Sequence, residues 1–256
     1  HKARSLSKAL SAWLRTGSMW LFWAPCARGF MPLYPGLPDL DITLRRSARA
    51  RRFSLRVSSL DGRVTLSMPA RAREAEAIAF ARAQEGWLRQ ALARVPAGAD
   101  VALGAEIPVE GRMLRLMPGA GRGVRVEGDS LLVPGDPAQA RARVAAWARA
   151  RARDRLVAAV DHYAAQVGRK VTAVALRDTR SRWGSCTTEG RLMFSWRLIL
   201  APPAVLTYVA AHEVAHLVQM NHSPAFWAVV ERLYPGWQVQ RAWLRRHGSA
   251  LHAIRF

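Results

Sequence analysis

The sequence predicts an α+β protein in which an apolar helix carrying a metal-binding motif packs on a small β-sheet, after an N-terminal unit rich in β-strand. Three observations carry this. Short runs of alternating apolar and polar residues, punctuated by glycine, fill residues 40–70 and 100–134. A long helix rich in alanine and arginine is expected over 136–167. An apolar helix starting at Pro203 holds the string His212-Glu213-Val214-Ala215-His216. Short strands grouped in runs, with helices between the runs, indicate a mixed α+β fold. Three parts follow: a basic, Pro/Gly-rich leader over 1–39, a β-rich α+β domain over 40–135, and a catalytic domain over 136–256.

The leader carries only positive charges before Asp39, and its apolar stretch is broken at Pro25 and Arg28. A signal peptide has a basic start and an apolar core of roughly 7–15 residues. The reading is a flexible leader, with a signal-like segment or a membrane-surface helix over 6–23 as alternatives. Ile42-Thr43-Leu44, Phe53 to Val57 and Val64 to Met68 then read as strands, the last two joined by an Asp61-Gly62 hairpin signal. The run Arg45 to Arg52 lies in the first turn, as a solvated loop or a phosphate-binding one. Residues 72–94 read as one helix with Ile78, Phe80, Trp87, Leu88 and Leu92 as its apolar stripe. Short strands return over 100–134, broken at Gly104, Gly111, Pro118-Gly119, Gly123 and Gly128-Asp129.

Asp136-Pro137 is a cap with proline at the first helical position, and Gly168 ends the long helix that follows. His162 on that helix reads as a surface or packing residue. Val171 to Arg177 is a strand, and Thr187 to Gly190 is the turn of a hairpin. In the returning strand Leu192, Phe194, Trp196 and Leu198 alternate with Met193, Ser195 and Arg197, and one face packs on the metal helix. That helix is expected over Pro203–Met220, ending where Asn221 tolerates a left-handed conformation. Ser223-Pro224 opens the next helix, to Leu233, and a further helix follows Pro235-Gly236-Trp237.

Residues i and i+4 share one face of a helix, so His212 and His216 can present two imidazoles to one metal ion. Glu213 lies about 100° round the helix, beside the metal and free to act as a base. A catalytic zinc takes three protein ligands and keeps one position for water. His222, in the turn just past the helix, is the expected third ligand; Glu231 and His247 are rivals. Glu231 is otherwise a partner for a histidine ligand or a solvent-facing carboxylate. Cys186 reads as a small buried strand residue, since a fourth protein ligand would close the site to water.

Arg182-Trp183-Gly184-Ser185-Cys186, Ser195-Trp196-Arg197-Leu198, Ala201-Pro202-Pro203, the HEVAH string and Asn221 to Trp227 together resemble the YgjP-like, SprT-related zinc metallopeptidases. The resemblance spans about 40 to about 250 and is densest over 177–248. It implies a zincin fold, a catalytic zinc on His212, His216 and His222, and Glu213 as general base. It implies little about the substrate.

The expected chemistry is hydrolysis of a peptide bond by a zinc-activated water, with Glu213 passing its proton to the leaving amine. Arg182 and Tyr208 are candidate donors to the oxyanion. Trp183-Gly184-Ser185 is a candidate strand edge for an extended protein or peptide substrate, unless Trp183 simply packs beneath the site. Two other classes stay open: a phosphoanhydride hydrolase using the arginines for phosphate, and a nucleic-acid-associated protein with a structural zinc.

The charge of +21 invites a polyanion partner, because basic surfaces gain affinity by releasing counterions. All but three of the 39 basic residues are arginine, which equally fits a compositional bias. Two distant cysteines, Cys26 and Cys186, make no disulfide framework. No apolar run reaches the roughly 18–20 residues that span a bilayer. The expected location is cytoplasmic.

Overall fold

Three strands open the chain: β1 (Ile42–Ser47), β2 (Ser54–Val57) and β3 (Val64–Pro69). The computed structural model describes residues 40–256, and the leader expected over 1–39, with its signal-like and membrane-surface alternatives, lies outside the described residues. β3 is central, with β2 antiparallel across the Asp61-Gly62 turn and β1 parallel on the other side. Gly62 takes φ +71°, a value glycine reaches without steric cost. Val64, Leu66 and Met68 alternate inward. Arg45 and Arg46, expected in the first turn, stand on β1 instead. Arg46 donates to Ala72 O (2.8 Å), Ala70 O (3.2 Å) and Glu74 Oε1 (3.3 Å), tying the strand to the next helix.

The single helix expected over 72–94 is two, α1 (Glu74–Ala83) and α2 (Glu85–Ala93), broken where Gln84 leaves helical geometry at φ −105°, ψ 13°. The inward stripe keeps helical spacing across the break, through Ala77, Ala81, Leu88 and Leu92. Leu88 is buried with Ala77 and Ala81, whereas Trp87 is 47% exposed.

β4 (Glu106–Val109), β5 (Arg112–Gly119), β6 (Arg125–Glu127) and β7 (Ser130–Pro134) form a second sheet in the order β4-β5-β7-β6. Its inner face, Ile107, Leu114, Leu116, Leu131 and Val133, belongs to the same buried cluster as the helices that follow, while Ile42 to Leu88 form a cluster of their own. The β4–β5 turn ties this sheet to the helices. Glu110, the one non-glycine at positive φ among the described residues, sets its carboxylate 2.6 Å from both Arg151 and Arg155. Its N–H donates to Ile199 O at 2.7 Å.

Asp136 caps the entry to the long helix through Ala138 N (2.9 Å), and Gly168 closes it at φ 61°. This helix, α3 (Ala140–Val167), buries Val144, Ala148, Ala152, Leu156 and Val160 at four-residue steps. The alanines in that stripe let the metal-motif helix approach closely. β8 (Ala173–Arg177), β9 (Gly184–Cys186) and β10 (Arg191–Ser195) make the third sheet, with β10 between parallel β8 and antiparallel β9.

The returning strand, expected to run through Leu198, stops at Ser195. Trp196–Leu200 is a 3-10 turn with all five residues buried. The reason is Arg197, which turns inward instead of alternating outward. Its Nε donates to Asp178 Oδ1 (2.6 Å), its Nη2 to Asp178 Oδ2 (3.2 Å), and its Nη1 to the carbonyls of Leu251 (3.0 Å) and Ile254 (2.8 Å).

The last helices are α4 (Pro203–Ala215), α5 (Pro224–Leu233) and α6 (Trp237–Ala253). α4 lies against α3, α5 and α6, and it meets β9 and the Trp196–Leu200 turn, which is the end of the strand expected to pack on it. α4 also ends five residues earlier than expected. Beyond it, the N–H groups of Leu217 and Val218 reach only the carbonyls three residues back, each at 3.0 Å. Asn221 is not left-handed; its Oδ1 accepts from Ser223 N at 3.2 Å and so bends the chain. Ser223 then caps α5 by accepting from Phe226 N (3.4 Å). Among the described residues, no helix is long and apolar enough to cross a membrane.

Replacing Arg197 by leucine strands two buried carbonyls and the Asp178 carboxylate. The expected cost is about 3 kcal/mol, read as an earlier midpoint of urea unfolding with an unchanged slope. Burial would raise the Asp178 carboxyl, but the Arg197 hydrogen bonds hold it below its usual range. The pair's contribution is therefore present above the unfolded-state value and lost as pH falls through the lower, folded one. The gap between the urea midpoints of wild type and variant should narrow in acid, down to the part contributed by the two carbonyls.

Candidate metal centre

Helical spacing stacks His212 and His216 on the side of α4 that faces the turn at 220–223. His216 is the first residue past the helix and keeps αR geometry, φ −65° and ψ −20°, so the i, i+4 relation survives the early helix end. The turn carries His222 back over the pair. Its Nε2 stands 3.2 Å from His212 Nε2. One nitrogen from each of the three histidines lies within 4.8 Å of the other two.

Tautomers follow from the partners. His216 Nδ1 lies 3.0 Å from Gln219 O. A carbonyl only accepts, so Nδ1 carries the proton and Nε2 keeps the lone pair facing His212 and His222. His212 Nδ1 is buried with no hydrogen-bond partner. Burial, with His216, His222 and Arg241 nearby, pushes the His212 imidazole down to about 3. Burial likewise lowers His216, against the pull of its Gln219 bond. Two deprotonated imidazoles and a third aimed at them form a donor set that fits a metal ion. Phe226 packs against all three rings at 4.3–4.9 Å between centroids and holds them in place.

Glu213 is 5% exposed. Burial pushes its carboxyl up to about 8, opposed by Arg182. The wall facing it is β9. A Cβ on Gly184 would lie 2.5 Å from Glu213 Oε1, so only glycine lets the strand pass this close. β9 pairs on one side with β10 and is the last strand of its sheet, so its other edge borders the cleft.

Two lobes of that cleft meet at Gly184, His212 and Glu213. One holds Arg182, Ser185, Cys186 and His222, and the other holds Trp183 and Tyr208. Trp183 does two things: it lines the cleft, and it stacks on His252 at 4.6 Å with its ring against Gly248. Burial raises the Tyr208 hydroxyl to about 12, opposed by Arg241 and Arg245 and helped by Glu213.

The rival ligands lie elsewhere. Glu231 accepts from Gly236 N at 3.4 Å, closing the turn before α6. His247 packs on Trp243 at 5.0 Å. Cys186 is half-buried on β9, its Sγ donates to Thr187 O at 3.3 Å, and it stands outside the group of three histidines. Sequence reasoning missed Arg241 and Arg245, which also line the cleft. Their four-residue spacing on α6 was the available signal, but nothing local says that this face turns toward α4.

An HExxH helix with a third imidazole and a buried glutamate is the arrangement of HExxH metallopeptidases. Residues 51–247 match the YgjP-like family, described as a metallopeptidase domain, and the chain belongs to that family. No curated protein matches. The crystal structure of the metallopeptidase zymogen of Pyrococcus abyssi abylysin is similar at 21% identity and a TM-score of 0.32, over 36% of this chain and 92% of that one.

One metal ion per chain is expected, measured by elemental analysis of the purified protein. His212→Ala and His216→Ala should abolish binding. His222→Ala should weaken it at least tenfold with an unchanged circular dichroism spectrum, because His222 is exposed and Phe226 carries the local packing.

Proposed function

We propose that the chain is a zinc-dependent peptidase that hydrolyses peptide bonds in protein or peptide substrates. The observation that carries this reading is the convergence of His212, His216 and His222 beside the buried carboxylate of Glu213. Three imidazoles without a thiolate suit zinc and leave a coordination position for water. When bound, zinc supplies Lewis-acid polarisation of a carbonyl and a more acidic water.

The chain's own residues supply the remaining chemistry. Glu213 takes a proton from the attacking water and delivers it to the departing amine. Its carboxylate is held against Gly184, so it meets the water in one orientation. The open edge of β9 offers backbone donors and acceptors to an extended peptide. Arg182 and Tyr208 flank the site from its two lobes as donors to the oxyanion. Tyr208 keeps its proton and donates as a neutral phenol. The reading puts catalysis in residues 136–256, braced by the β4–β7 sheet, and leaves the basic unit at 42–93 outside the chemistry.

Two variants test this on a casein-like unfolded substrate. Glu213→Gln should hold zinc as wild type does and lose hydrolysis by at least a hundredfold. Gly184→Ala should displace the Glu213 carboxylate while keeping the metal. A shift of about 1 Å costs on the order of a hundredfold in rate, and that fall is expected. Wild-type turnover by Glu213→Gln would remove the glutamate from its role.

A further inference from the structure

The lobe on the Trp183 side has a feature that hydrolysis itself does not require. It is a cavity of about 370 Å³, walled by Trp183, Tyr208, Val209 and Leu244 and closed by Arg241 and Arg245. Resting on the peptidase reading, we propose that this lobe is a specificity subsite that selects a carboxylate next to the scissile bond. The carboxylate is an Asp or Glu side chain, or the free C-terminal carboxylate of the peptide.

The argument starts from the two arginines. They stand four residues apart on α6 and so share one face. Arg241 is half-buried, its guanidinium 4.9 Å above the Trp227 ring and 5.6 Å from that of Trp237, which are themselves stacked at 4.2 Å. Contact with the stacked pair orders the side chain before any ligand arrives, which lowers the entropy lost on binding. Among the described residues, neither Arg241 nor Arg245 forms an ion pair. Glu213 is the one carboxylate lining the lobe, and it is held by Gly184 at the metal centre. Two guanidinium forks without a carboxylate partner among the described residues therefore line the cleft.

The walls decide what fills it. Ring and aliphatic surfaces accept the methylenes of a glutamate and lower the local dielectric, so the charge at the end counts for more. Guanidinium forks match a carboxylate in paired hydrogen bonds. The same charges repel lysine and arginine, so discrimination arises from both attraction and exclusion. The volume lies near the lower end of the range for small-ligand pockets, about 300–1,000 Å³, and suits one side chain with its peptide unit.

The test uses the full chain, zinc-loaded and carrying Glu213→Gln so that peptides bind without being cut. Short labelled alanine-rich peptides bearing one Glu, Gln or Lys, each with a free or an amidated C-terminus, are titrated by fluorescence anisotropy. The Glu peptide should bind about tenfold tighter than Gln, with Lys weakest, and the spread should shrink as salt rises. Discrimination that survives amidation assigns the site to a side-chain carboxylate; preference for the free terminus in all three peptides assigns it to the terminal one. Arg245 is exposed, so Arg245→Glu should fold normally and invert the order of Glu and Lys. Equal affinities whatever the terminus, or no binding, overturns the subsite. Wild-type protein that shows the preference yet cuts none of the peptides leaves the subsite standing and removes the peptidase reading.

Discussion

The rest of the structure depends on the cost of keeping one carboxylate and two imidazoles inside an apolar helix. α4 buries Val205, Leu206, Val209, Ala210, Ala211, Val214 and Ala215 together with Glu213. Polar groups placed there lose hydration and must be compensated locally. Each neighbour of the site answers that demand. Gly184 lets β9 approach without expelling the carboxylate. Gln219 O takes the outer proton of His216. The bend at Asn221 brings His222 to the inner faces of the pair. Within the site, His212 Nδ1 is buried without a hydrogen-bond partner. An apolar helix is thus also the reason why the imidazoles are neutral and available as ligands.

A second charged group, Arg197, organises the frame around that helix. It is 7% exposed, and its four hydrogen bonds go to Asp178 and to two carbonyls at the end of α6. It therefore ties the segment after β8 and the turn before α4 to the last turn of the chain. Through α6 the same clamp places Gly248 and His252 against Trp183, one wall of the cleft. The cleft is assembled from elements more than fifty residues apart, and a buried arginine fixes their relative position better than apolar packing alone, because its hydrogen bonds are directional.

The two lobes differ in chemistry. Arg182, Ser185, Cys186 and His222 line one, while rings and aliphatic side chains line the other, together with Arg241 and Arg245. An extended chain laid along β9 would meet the two in succession on either side of Glu213. That asymmetry gives the cleft a direction.

Much of this was legible locally. The HEVAH spacing, the Asp136-Pro137 and Ser223-Pro224 starts, Gly168 as a stop and the Asp61-Gly62 turn depend on neighbours within a few residues, and the sequence states them directly. The family resemblance was legible for the same reason, since its motifs lie in short strings. Where the reading failed, contacts remote in sequence won. Arg197 turned inward for carbonyls more than fifty residues away, ending a strand that alternation alone would continue. Trp87 stays outside because the inward stripe runs through Ala77, Ala81 and Leu88, one residue round the helix from it. α4 stopped at Ala215 although its apolar pattern runs on. By itself the sequence determined the chemistry: which imidazoles can share an ion, which carboxylate stands beside them, and that the helix bearing them is apolar. Only tertiary structure decided which strand faces Glu213, that Gly184 is the residue in contact with it, and that Arg241 and Arg245 look into the cleft. The physical reason is that side-chain spacing sets which groups share a face of one element, whereas packing and burial between distant elements set what that face meets.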